Sequence, residues 1–234
     1  MKTRLLNLIL GLTVVAANAE AGTIMGRVRA EGKAGADQDA LCSAGHYDSR
    51  AYKFAQRLDY SAMHEFVVYI EGPVGTNGVI ATSKPVEVVT KKVAQHKAMF
   101  YPHVIPVVKG TVVEWPNDDD IFHNVFSFSE IQPFDLGLYK GHEAKSVTFN
   151  TPGRVDVFCS IHSSMNCVVL VLENPYFAST DEKGRYLIQN IPAGTCKLKA
   201  WHERLPSQHK EIVVPENGEV KVDFTLGIEG LPKF

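Results

Sequence analysis

Cysteine is scarce in this chain, with 4 among 234 residues. That is too few for a disulfide-stapled scaffold. No C-x-x-C, H-E-x-x-H or H-x-H pattern occurs. Paired zinc knuckles, a zincin helix and the histidine clusters of oxygen-binding copper enzymes are therefore excluded. Excess positive charge is also missing. Lys and Arg total 24 against 26 Asp and Glu, for a formal net charge of −2, which leaves no basic footprint for nucleic acid. No apolar run reaches the roughly twenty residues of a membrane span. The 18 Gly and 12 Pro are scattered, so neither collagen nor a Pro-rich linker fits. Internal repeats are absent, and a helical period shows in one short segment only.

The N-terminus has the form of an export signal. Lys2 and Arg4 precede an apolar run of about thirteen residues, Leu5 to Ala17, the length of a signal h-region. Small residues then satisfy the A-x-A rule twice, at 17–19 and 19–21. A signal peptide over 1–21 is expected, with cleavage after Ala19 or Ala21. The mature chain is expected to be periplasmic, mildly acidic and without a transmembrane segment.

Beyond residue 21 the apolar residues alternate with a period of two, as in half-buried strands. Ile24, Gly26 and Val28 share one face. Phe66–Ile70, Val86–Val89, Val104–Val108 and Thr111–Trp115 follow. Val147 and Phe149 lead into Thr151-Pro152-Gly153-Arg154, where Pro then Gly suits a type II turn. Val155, Val157 and Cys159 face one way, and Cys167 to Leu172 is apolar throughout, as expected of a strand buried on both faces. Tyr186–Ile188, Thr195–Trp201, Lys210–Val214 and Val220–Leu226 complete the set. Ala51, Phe54, Ala55 and Leu58 recur at helical spacing, which predicts one short helix over 48–58. The expected class is all-β with a short helical insertion.

The chemistry concentrates in one loop. Cys159, His162 and Met165 set a thiolate, an imidazole and a thioether at the spacing C-x-x-H-x-x-M, and the strand alternation points Cys159 inward. His123 lies upstream in Asp120-Ile-Phe-His123-Asn124-Val-Phe. Two His, one Cys and a weak Met form the blue-copper ligand set. Thiolate and thioether suit Cu(I), and imidazole suits both oxidation states, which favours electron transfer over catalysis. Met165 alone is ordinary packing; its spacing after Cys and His makes it a ligand candidate. His96, His103, His142 and His202 have no visible metal partner and read as structural or surface residues. Asp118-Asp119-Asp120 lacks the spaced oxygens of a calcium loop and reads as a solvated turn.

The stretch from Phe100 to Leu172 resembles a cupredoxin, the fold of plastocyanin, pseudoazurin and amicyanin. The resemblance rests on Phe100-Tyr101-Pro102, Lys109-Gly110, Val113 to Asn117, His123-Asn124-Val125, Pro152-Gly153 and the Cys159–Met165 loop. The loop spacing is nearest to amicyanin, which receives electrons from methylamine dehydrogenase. The whole chain is similar to exported plastocyanin-like proteins labelled as methylamine-utilization proteins. This resemblance implies a Greek-key β-sandwich holding one type 1 copper. His123, Cys159 and His162 would be equatorial ligands and Met165 the axial one. Asn124 would fasten the two ligand loops, its backbone N–H reaching the Cys159 sulfur. His162 would lie near the surface, with Phe126 and Phe128 contributing to the region around it. Ile161 and Ser163 flank His162 where amicyanin-like loops carry prolines.

About ninety residues, 84–173, suffice for that unit. In the remainder, Thr180–Tyr186 (TDEKGRY), Ile191–Thr195 (IPAGT) and Cys196–Trp201 (CKLKAW) resemble the latter half of a carboxypeptidase regulatory-like, or transthyretin-like, domain. That family begins with strands like Gly22–Arg29 and Phe66–Gly72. Residues 22–83 and 174–234 would then form one discontinuous β-sandwich into which the copper unit is inserted. Two sequential domains breaking near Asn174-Pro175 are the alternative. With Cys159 as a ligand, Cys42, Cys167 and Cys196 remain, which allows one pair and one free thiol, a Cys42–Cys167 bridge among the options.

The leading expectation is a periplasmic one-electron carrier, not an enzyme, serving a dehydrogenase, a cytochrome or another redox protein. Copper storage or delivery is an alternative, and a non-catalytic binding module with a structural copper is another.

Overall fold

Strands make up most of the described residues of the computed structural model, which covers 21–32, 60–72 and 89–228. The expected signal peptide, the helix over 48–58, Cys42 and the apolar residues 86–88 lie outside these. In chain order the strands are β1 (Ala21–Ala30), β2 (Val67–Glu71), β3 (Thr90–Lys92), β4 (Ala94–His96), β5 (Met99–Tyr101), β6 (Val104–Val108), β7 (Thr111–Pro116), β8 (His123–Ser127) and β9 (Phe134–Tyr139). They continue as β10 (Ala144–Phe149), β11 (Gly153–Phe158), β12 (Asn166–Leu172), β13 (Phe177–Ser179), β14 (Arg185–Pro192), β15 (Gly194–His202), β16 (Leu205–Val214), β17 (Glu219–Lys221) and β18 (Phe224–Leu226). The sole helical element among the described residues is a 3-10 turn at Tyr60–Ala62, so the class is all-β. None of these residues forms a helix long and apolar enough to cross a membrane.

The middle of the chain builds two facing sheets, ordered β6-β12-β11-β8-β9 and β10-β7-β3, with the hairpin β4-β5 beside them. Between them lies a core that includes Phe100, Val113, Trp115, Val125, Phe149, Val155, Val157, Cys159, Met165 and Cys167. The turn before β11 differs from the expected type II geometry. Gly153 has a φ of +142°, well beyond the type II value of about +80°. A Cβ there would meet Ile131 Cδ1 at 2.6 Å, so close packing also requires the glycine.

The outer segments pair with each other. β1 runs antiparallel to β14 and parallel to β17 and β18, with Val28 opposite Phe224. β2 lies between β13 and β15, with Lys197 opposite Glu71, and β16 follows at the edge. These two sheets share a core that includes Ile24, Val28, Phe66, Ile70, Ile188, Leu198, Phe224 and Leu226. The last run, expected as one strand over 220–226, is broken. Asp223 turns its carboxylate onto the Arg27 N–H at 2.8 Å, and the Val222 carbonyl accepts the Tyr186 hydroxyl at 2.6 Å. Side chains thus take over ladder bonds, while Val222, Phe224 and Leu226 still face the core. Gly26 permits the close approach: a Cβ there would sit 1.8 Å from the Val222 oxygen.

The apolar run at 167–172 now has a physical reason. Cys167, Val169 and Val171 face the middle core. Val168, Leu170 and Leu172 face the other way and join Val67, Val104, Tyr69, Phe177 and Trp201. One strand therefore serves two cores, and polar residues have no face to occupy.

Candidate metal centre

β11 and β12 are adjacent antiparallel strands, with Phe158 opposite Asn166. The loop between them is residues 159–165. Its ends are tied by the Cys159 N–H donating to the Met165 carbonyl at 3.0 Å, and the Met165 N–H donates to the His162 carbonyl at 3.0 Å. Cys159 continues the inward alternation of Val155 and Val157, and Met165 is buried in the same core at 1% exposure. The C-x-x-H-x-x-M spacing is thus that of a tight, hydrogen-bonded strand connection.

His123 opens β8 on the neighbouring strand and is fully buried. Its approach is set by Asn117, also fully buried. The Asn117 amide donates to the Ile121 and Tyr139 carbonyls at 3.0 Å each, and its Oδ1 accepts the Asp119 N–H at 2.9 Å. Asp119 folds back. Its carboxylate accepts the Lys97 and Ala98 N–H groups at 2.8 and 2.9 Å, and His123 Nε2–H at 2.8 Å. Burial raises the Asp119 pKa, but those three hydrogen bonds outweigh it and hold the carboxyl down to about 2. A carboxylate only accepts, so this contact favours the proton on Nε2 and a lone pair on Nδ1. That Nδ1 lies 3.1 Å from His162 Nδ1, and Cys159 Sγ lies 3.6 Å from the same His162 atom.

The ligand atoms of His123, Cys159 and His162 all fall within 4.8 Å of one another. The donor set, a soft thiolate with two imidazoles, suits copper; Met165 is buried in the same core and tied to Cys159 and His162 through its backbone.

Asn124 makes two polar contacts. Its backbone N–H points at Cys159 Sγ over 3.5 Å. Its side chain, however, donates to Asp135 Oδ1 at 2.7 Å. It therefore fastens β8 to β9 rather than to the Cys159 loop, because Asp135 stands across the bulge that follows Asn124. The Gly137 N–H and the Asn124 amide lower the Asp135 pKa.

Asp119 was not legible as a site residue. Asp118 and Asp120 are exposed, as a solvated turn requires, but the Asp119 side chain is only 12% exposed. The available signal was its position four residues before His123, since a ligating histidine commonly gives its other nitrogen to a carboxylate. His103 also does more than frame a strand: its ring lies between Asn166 and Glu203. His202 is buried, which lowers its pKa, and its ring packs 5.0 Å from Phe66. Of the cysteines, Cys159, Cys167 and Cys196 are free. Cys167 belongs to the middle core and Cys196 to the outer one. Burial pushes the Cys167 thiol well up and that of Cys196 up to about 11. Both are packing residues.

Ile121 and Phe122 before His123, and Ile161 before His162, are exposed apolar side chains. Phe126 stacks edge-on with Phe128 at 5.0 Å and lies 6.0 Å from Phe158. Phe128 is 82% exposed.

No protein-family model matches this chain, and no curated protein does. Several solved structures match in part. A copper-containing nitrite reductase from Thermus scotoductus SA-01 is 27% identical, over 44% of this chain and 28% of the reductase, with a TM-score of 0.36. This chain thus spans less than a third of that protein's length. A purple cupredoxin from Nitrosopumilus maritimus is 22% identical, over 36% of this chain and 98% of its own, with a TM-score of 0.32. An amicyanin variant in its Cu(I) form is 21% identical, over 44% and 97%, with a TM-score of 0.34. Each of these three is matched over less than half of this chain.

Proposed function

We propose that this chain is an exported mononuclear type 1 copper protein that carries single electrons between redox partners. One observation carries the reading: a ligand atom each of His123, His162 and Cys159 converge within 4.8 Å. Bound there, copper would supply a one-electron Cu(I)/Cu(II) couple. The chain's own residues do the rest. Asp119 keeps the proton on His123 Nε2 and leaves Nδ1 free to bind. The Asn124 N–H points at the Cys159 sulfur, a contact that helps orient the ligand and bears on the potential. The loop-closing bonds to Met165 resist movement when the oxidation state changes.

His123 and Met165 are buried and Cys159 nearly so, while His162 is half-buried. This supports outer-sphere electron transfer through His162 and weighs against exchangeable copper storage. It also leaves little room for a substrate on the metal, which supports a non-enzymatic role. Exposed Ile161, Ile121 and Phe122 suit a small transient interface with a dehydrogenase or cytochrome.

Residues 84–173 are read as the copper unit, inserted into a transthyretin-like sandwich of 22–83 and 174–234. The pairing of Val28 with Phe224 and of Glu71 with Lys197 supports insertion over sequential domains. Export to the periplasm is supported by the N-terminal Lys2/Arg4, apolar and A-x-A pattern.

A reductive titration of the copper-loaded chain tests the function. The expected result is one electron per chain, taken up and returned over repeated cycles without loss of metal. Release of copper on reduction, or oxygen consumption without a partner protein, contradicts a carrier.

A further inference from the structure

The middle and outer units meet through polar groups as well as the apolar strip around Leu170. His103 lies between β5 and β6, and its carbonyl accepts the Val168 N–H at 2.8 Å. Its ring bridges two partners. Nδ1 is 3.0 Å from the Asn166 carbonyl, and Nε2 is 2.9 Å from Glu203 Oε2. Both partners accept, an arrangement that favours a proton on each ring nitrogen. Glu203 belongs to the turn between β15 and β16 of the outer unit. That turn is held to β11 by Arg154, which donates to the Glu203 carbonyl at 3.0 Å and lies 5.9 Å from the Trp201 ring centre. Asn166 directly follows Met165, whose carbonyl ties down Cys159. Contacts therefore run from Glu203 through His103 to the end of the 159–165 loop.

We propose that His103 is a charged strut through which Glu203 of the outer unit positions the Met165 end of the candidate metal loop. Glu203 thereby acts on a site it does not touch, as a positioning residue. The surrounding charges favour this arrangement. The Glu203 hydrogen bond raises the His103 pKa against the effect of burial, and the Asn166 carbonyl and Glu65 carboxylate add to it. The same bond lowers the Glu203 pKa, helped by the neighbouring Arg154 and His202. His202 itself is pushed towards the neutral form by burial, so it competes weakly for Glu203.

The strut stands on the chain's own residues; its consequence for a metal rests on the copper reading. The test therefore begins with the metal-free full chain, comparing the parent with Glu203→Gln and His103→Gln. Nitrogen-resolved NMR of the His103 ring at pH 7 is expected to show both nitrogens protonated. Hydrogen exchange at the Cys159 and Met165 amides, which close the loop, is expected to accelerate about fivefold in both variants, the factor one ordinary hydrogen bond commands. Amides of β14 and β18 should not change. After copper loading, the reduction midpoint of Glu203→Gln is expected to shift from that of the parent.

A neutral His103 ring at pH 7, unchanged loop exchange in both variants, or equal acceleration across the chain overturns the strut. An unshifted midpoint overturns its action on the metal. Failure of the parent to bind copper removes the copper reading, while the ring and exchange data still decide the strut.

Discussion

Asp119→Ala removes the acceptor of the His123 Nε2–H, a bond of 2.8 Å inside a fully buried ring. No other acceptor is in contact with that nitrogen among the described residues. The N–H is then either left unsatisfied, costing about 1–3 kcal/mol, or the proton moves to Nδ1, the atom that faces His162. Both outcomes weaken a metal held by His123. Loss of such a partner typically lowers metal affinity about 10–100-fold, or about 1.4–2.7 kcal/mol. Asp119 also accepts the Lys97 and Ala98 N–H groups, so Asp119→Ala loosens the β4-β5 hairpin as well. Asp119→Asn keeps one acceptor oxygen, but Ala98 and His123 share Oδ2, so it lessens the loss at both places rather than separating them. The assay is competition for Cu(I) against a chromogenic chelator, with thermal unfolding of the metal-free chain alongside. A loss smaller than about threefold in both variants, below the usual floor for such partners, refutes the orienting role of Asp119.

Further outcomes follow from the packing and the charges. Leu170, 4% exposed between the two cores, should lose about 2–5 kcal/mol on truncation to Ala; a loss under about 1 kcal/mol in urea unfolding contradicts burial of both faces of β12. Gly26→Ala drives a Cβ into the Val222 oxygen and should cost about 1–3 kcal/mol or more, read as a lowered thermal midpoint; an unchanged midpoint contradicts the close approach of β1 to residue 222. The His103–Glu203 pair has a defined pH window. A raised His103 pKa gives stability that is complete below its ordinary value of 6.5 and lost as pH rises through the raised one. A lowered Glu203 pKa gives stability that is complete above its ordinary 4.5 and lost as pH falls through the lowered one. The parent's advantage over Glu203→Gln in urea midpoint should therefore peak between those values and shrink on both sides; a flat difference across the range contradicts the pair.

What sequence made legible was direction and local spacing. The inward face of Val155, Val157 and Cys159 followed from alternation, and so did the double burial of Cys167 to Leu172. The seven-residue loop brought Cys159, His162 and Met165 together because its ends are strand neighbours. Alternation says which face a residue takes, not what stands opposite. Asp119, Asp135 and Glu203 meet their partners through loops and bulges that carry no period. Glu203 lies 100 positions from His103, beyond any local signal. The break at Asp223 was hidden for the opposite reason: Val220 to Leu226 keeps an unbroken period of two while its backbone leaves the ladder. β9 was missed because Asp135, Gly137 and Leu138 leave its outer face exposed and its apolar pattern weak.

The copper centre is tested most directly by adding Cu(II) to the purified mature chain and recording its visible spectrum. The expected result is an intense thiolate-to-copper band that saturates at one copper per chain and is absent in Cys159→Ser. A colourless chain that binds Zn(II) equally well contradicts the type 1 site.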